Sequence, residues 1–63
     1  MNTKLCRLPE VIKLTGLSRS SIYALMAKNK FPQPIKLSER SVAWVSTDIQ
    51  SWIDEKISIS RGA

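Results

Sequence analysis

The chain has 63 residues, ten Lys or Arg against five Asp or Glu, a net charge of +5 and a single cysteine. A chain this short supports one small core, and a lone Cys6 with no histidine excludes an internal disulfide, a zinc site and a histidine-activated nucleophile. The basic balance points to an anionic partner, and the placement of the charges decides its kind.

Pro9 suits the first turn of a helix, and Leu8, Val11 and Ile12 share one face, so a first helix is expected from Pro9 to about Thr15. Gly16 tolerates positive φ at its end, and Ser18 is a good N-cap for a second helix, Arg19 to about Lys28. Leu17 and Ile22 then occupy the two positions of a hydrophobic staple. Ile22, Leu25 and Met26 form the apolar face of this helix, with Ser20, Tyr23, Ala24 and Ala27 opposite. Asn29 can close it, and Phe31-Pro32-Gln33-Pro34 cannot continue it, because proline disfavours helical geometry in the residue before it.

Ile35–Leu37 and Val42–Val45 are short β-type runs around Ser38-Glu39-Arg40-Ser41, which reads as a hairpin with a polar tip, a wing. A third helix is expected from Thr47, with Gln50 completing a capping box, and with Ile49, Trp52, Ile53 and Ile57 on its buried face. Trp44 and Trp52 both sit in apolar patterns and read as core. The fold class is therefore mainly α with a small β-hairpin, a winged helix-turn-helix in the order helix, turn, helix, hairpin, helix. One domain over residues 1–63 is expected, with its core at about 5–57 and a flexible tail at 58–63. The longest apolar run, Ile22–Ala27, is far short of the roughly 20 residues of a membrane helix, so the expected location is the cytoplasm, at the nucleoid, with no membrane partner.

Between Val11 and Ser38 lie five basic residues, Lys13, Arg19, Lys28, Lys30 and Lys36, and no acidic one. This positive stretch coincides with the helix-turn-helix pattern, and the overlap points to double-stranded DNA more strongly than either feature alone. A helix in the major groove needs outward residues that reach base edges, with small neighbours that permit close approach. Arg19, Ser20, Tyr23 and Ala24 match as base-reading candidates; for Tyr23 the competing role is packing against the first helix. Lys13, Ser18, Lys28, Lys30, Lys36 and Arg40 are candidates for phosphate and wing contacts, and for Arg40 the competing role is a surface pair with Glu39. Ser18, Ser20 and Ser21 have no activating base and there is no glycine-rich phosphate loop, so the chain is not expected to be an enzyme or to need a cofactor or metal.

Arg7–Val11, Thr15–Tyr23, Phe31–Leu37 and Arg40–Trp44, in that order, resemble the AlpA family of small phage and mobile-element regulators, whose DNA-binding fold is winged and similar to MerR or excisionase domains. The resemblance implies a transcriptional regulator of a prophage or integrated element that activates an integrase gene or acts as an excision factor. It also implies that Arg19, Ser20, Tyr23 and Arg40 lie on the family's reading helix and wing. The tip departs from the pattern: Ser38-Glu39-Arg40 stands where many relatives carry a glycine. Integrase or recombinase and RNA polymerase are the protein partners that such a role implies, and specificity from so short a site calls for a dimer or adjacent copies. The alternative is a protein-interaction module that docks on an integrase or signalling protein and inhibits or redirects it.

Overall fold

The computed structural model describes residues 3–62. In chain order it contains strand β1 (Leu5–Cys6), helices α1 (Leu8–Thr15) and α2 (Arg19–Ala27), strands β2 (Ile35–Ser38) and β3 (Ser41–Val45), and helix α3 (Ser46–Gly62). The expected winged helix-turn-helix order is present, with one added strand.

The turn between α1 and α2 is built from local hydrogen bonds. Gly16 takes a left-handed conformation, φ 73°, and its N–H reaches the Ile12 carbonyl at 2.8 Å, closing α1. The Thr15 hydroxyl donates to the Val11 carbonyl at 2.8 Å and accepts the Leu17 N–H at 3.2 Å, tying helix end to turn. Ser18 caps α2 as expected, its Oγ accepting the Ser21 N–H at 3.1 Å. At the far end of α2, Asn29 has φ 58°, its N–H reaches Met26 O at 3.0 Å, and the Lys30 N–H reaches Leu25 O at 2.8 Å. That pair of bonds is a Schellman closure with asparagine in the place glycine usually takes.

The core cluster takes one buried side chain from every element except β2, and one from the connecting loop: Cys6 of β1, Val11 of α1, Ile22 of α2, Phe31 of the loop, Trp44 of β3 and Ile49 of α3. The proline-containing loop has no ladder to satisfy its carbonyls, and the two tryptophans meet part of that need. Trp44 Nε1–H donates to Pro32 O at 3.0 Å and Trp52 Nε1–H to Lys30 O at 2.9 Å, while the Phe31 and Trp52 rings meet edge to face at 4.9 Å.

β1 is the element that sequence reading did not anticipate. It pairs antiparallel with β3, Leu5 opposite Val45 and Cys6 opposite Trp44, giving a three-stranded sheet in the order β1-β3-β2. The pairing continues into α3, where the Ser46 N–H reaches Lys4 O at 2.8 Å and the Lys4 N–H reaches Ser46 Oγ at 2.9 Å. This moves the start of α3 from the expected Thr47 to Ser46. The expected capping box does not form, because Gln50 Nε2 donates forward to Asp54 Oδ1 at 3.0 Å. α3 also runs on through Ser58–Gly62, where the sequence reads as a tail; Ala63 lies outside the described residues. Ile57 is 45% exposed rather than buried, because the core cluster ends at Ile53.

The hairpin turn needs no glycine. Positive φ among the described residues occurs only at Gly16 and Asn29, so Glu39 and Arg40 make a turn whose twist does not match that of the strands. The register shift between Lys36 and Ser38 absorbs the mismatch.

Because a Cβ at Gly16 would meet nothing within 4 Å, Gly16→Ala should cost about 1 kcal/mol through backbone strain alone, whereas Asn29→Gly should leave stability unchanged or raise it. Urea denaturation checks both. Burial pushes the Cys6 thiol up, so folded protein should react with a disulfide reagent no faster than it unfolds. Prompt labelling at neutral pH would show the core to be open.

Candidate nucleic-acid interface

α2 buries Ile22 and packs Leu25 and Met26 against the core, which turns its opposite side to solvent. Arg19, Ser20, Tyr23 and Ala24 all lie on that exposed side, within the first six of the nine residues of the helix. Tyr23 is 44% exposed. Nine helical residues span about 13 Å, comparable with the width of a DNA major groove, so the whole exposed side can meet one stretch of groove floor.

The other candidates surround this face at different places. Lys13 is exposed in the last turn of α1, and Lys28 and Lys30 are exposed at the closure of α2. Lys36 lies on β2 opposite Val42, and Arg40 lies in the exposed turn at the wing tip. Arg40 is not paired with Glu39: the ion pair among the described residues joins Lys4 Nζ to Glu10 Oε2 at 2.8 Å. None of the side chains of Lys13, Arg19, Ser20, Tyr23, Lys28, Lys30, Lys36 and Arg40 takes part in an internal hydrogen bond among the described residues, so their polar ends stand free for a ligand.

Ser18 differs. Besides capping α2, its Oγ donates to Ser21 Oγ at 3.0 Å, so its hydroxyl is already engaged on both sides. Its contribution is to hold the first turn of α2, next to Arg19. Sequence reading did not single out Ser21 as its partner, although the Ser-x-x-Ser spacing carries that signal.

Lys4, also overlooked, reaches across to Glu10, the one acid at the entrance to the basic stretch. The hydrogen bond and charge of Glu10 raise the Lys4 ammonium above its ordinary value. The pairing neutralises Glu10 where it would otherwise repel a polyanion.

An open groove of about 670 Å³ lies between the loop after α2 and α3, lined in part by Phe31, Trp52, Asp48, Glu55 and Lys56. Its mixed charge distinguishes it from the uniformly basic α2 side, and Lys56 sits 5.5 Å from the Trp52 ring centroid. Among the described residues, no three His, Cys, Asp or Glu side chains gather as a metal site, and no helix is long and apolar enough to cross a membrane.

The chain is 43% identical over 51 residues to a protein of Enterobacteria phage P4 described as "Uncharacterized protein ORF88", covering 81% of this chain and 58% of the phage protein. It thus spans little more than half of that relative's length. It is 30% identical over 59 residues to the DNA-binding transcriptional activator AlpA of Escherichia coli (strain K12), covering 84% of each chain. A family model described as "Prophage CP4-57 regulatory protein (AlpA)" matches residues 4–57, from the strand that closes the sheet to within five residues of the end of α3, and the chain belongs to that family.

Proposed function

We propose that this chain is a sequence-specific, double-stranded-DNA-binding transcriptional regulator of a prophage or mobile element. The observation that carries the reading is the exposed side of α2. Its Arg19, Ser20 and Tyr23 side chains have no hydrogen-bond partner among the described residues, and they sit on a helix held at both ends by backbone-specific caps. A rigid helix that presents unengaged donors beside small residues is suited to base edges. The same groups on a mobile segment would lose contact energy to ordering.

In this reading Arg19 and Tyr23 reach bases or the phosphates beside them, Ser20 does either, and Ala24 allows close approach or meets a thymine methyl. Lys13, Lys28 and Lys30 neutralise flanking phosphates, Ser18 holds the first turn against the backbone, and the wing carries Lys36 and Arg40 to the neighbouring groove. The bulged tip, without glycine, suits contact along the phosphate edge. The regulator acts on an integrase gene as activator or on the element's DNA as excision factor, with integrase or RNA polymerase as protein partner. Likeness to the Escherichia coli transcriptional activator supports an activating role.

Selection from randomised duplex DNA, followed by binding across a salt series, tests this. An enriched motif bound with log affinity falling at a slope of about −4 to −5 against log salt is expected, for about five neutralised phosphates. Absence of any enriched motif from folded protein would leave the protein-docking module as the better account. On the enriched site, Arg19→Ala and Tyr23→Ala should each cost about 1–3 kcal/mol and far less on random duplex. Lys36→Ala and Arg40→Ala should weaken all duplexes alike and lower the salt slope by about 1 each, and an unchanged slope would place the wing off the DNA.

A further inference from the structure

An antiparallel sheet with one face on a core ordinarily turns polar side chains outward on the other. Here the strand register puts Cys6, Trp44 and Val42 on the core side, and all three belong to or pack against the core cluster. The alternate positions, Leu5, Val45, Ala43 and Ile35, therefore share the opposite face, with Leu37 continuing it at the bulge. None of these five belongs to the core cluster or packs against it. Leu5, Ile35 and Leu37 are 47%, 45% and 47% exposed, while the small Ala43, flanked on this face by Val45 and Ile35, is fully buried. Among the described residues the result is an apolar surface without a charged side chain on the outside of the wing, bordered toward the tip by Ser38 and Ser41.

We infer that this face is where a second copy of the chain docks when two copies occupy adjacent sites on DNA. Three observations select that occupant. A chain with net charge +5 repels its own copies, and an uncharged face is where two can approach without opposing like charges. The face and the phosphate contacts use opposite sides of one hairpin: Lys36 pairs with Val42 on the core side and Arg40 sits in the turn, so both contacts form together. The area is also suited to a templated contact. Three half-exposed side chains of this size offer on the order of 300 Å² per copy, so a face-to-face pair buries about 600 Å², about half of the roughly 1,200 Å² at which stable specific interfaces begin. Such a contact is too weak to hold a free dimer and strong enough to matter once DNA raises the effective concentration of one copy at the other. Edge-to-edge pairing through β2 is disfavoured by Pro34 and the bulge.

This inference rests on the DNA-binding reading, and the experiment separates the two. Wild type and the double variant Ile35→Thr/Leu37→Thr, which places β-branched threonine at two exposed strand positions, are titrated on duplexes carrying one or two adjacent selected sites. A third measurement compares NMR spectra of the free wild-type protein at millimolar and micromolar concentration. The wild type should fill the second site at least about tenfold more tightly than the first, and the double variant should lose that gain with one-site affinity unchanged. Concentration-dependent shifts should gather at Leu5, Ile35, Leu37 and Val45. Independent filling of two sites by the wild type, or cooperativity retained by the variant, overturns the inference. If no duplex binds, the regulatory reading fails instead, and the dilution series alone decides: shifts at these four residues keep the self-docking face, and their absence removes it.

Discussion

Trp44 is the constraint around which this small chain closes. It is the largest fully buried side chain, it lies opposite Cys6 across the β1–β3 pair, and its indole N–H holds the loop that leaves α2. A 63-residue chain has a total stability of roughly 3–9 kcal/mol, and removing a buried tryptophan side chain commonly costs about 3–5 kcal/mol. The sheet, the loop and the apolar sides of α1 and α2 therefore depend on one side chain to define a common interior. Because Val11, Ile22 and Ile49 complete that interior, the opposite side of α2 is left to solvent.

The turn converts this packing into a fixed presentation. Gly16, Thr15 and Ser18 supply successive backbone-directed bonds within four residues, and Asn29 closes the other end of α2. The helix thus enters and leaves through defined geometries rather than through a flexible linker. Side chains on it keep their relative positions without a partner, and less ordering entropy remains to be lost when one arrives. The ion pair of Lys4 with Glu10 serves the same surface by cancelling an acid at its edge.

What was legible in the chain follows from the range of each interaction. The caps at Gly16, Ser18 and Asn29, the break at Pro32 and Pro34 and the polar wing tip are local chemistry, written in neighbouring residues, and they mark α1, α2 and the hairpin to within a residue or two. β1 was not legible because two residues carry no periodicity; it exists only because Leu5 and Cys6 find Val45 and Trp44 some forty positions away. The same distant pairing draws Ser46 into a bond with Lys4, which displaces the capping box expected at Thr47. At the candidate site, the grouping of Arg19, Ser20, Tyr23 and Ala24 was readable from helical spacing. The engagement of Ser18 with Ser21 and of Lys4 with Glu10 needed coordinates. The apolar outside of the wing was hidden for a similar reason, since which face each residue takes depends on strand register.

The molecule presents three surfaces with different charge: a basic α2 side, an uncharged outer sheet face and a mixed-charge groove beside Trp52. The first of these is the surface proposed to meet DNA. The most direct test is an NMR titration of the labelled protein with its selected duplex, following backbone amides and the Tyr23 ring. The account predicts the largest shifts at Arg19, Ser20, Tyr23 and Ala24, with a second group at the wing tip around Arg40. Shifts centred on Phe31, Trp52 and Lys56, with α2 unmoved, would contradict it and transfer binding to the groove.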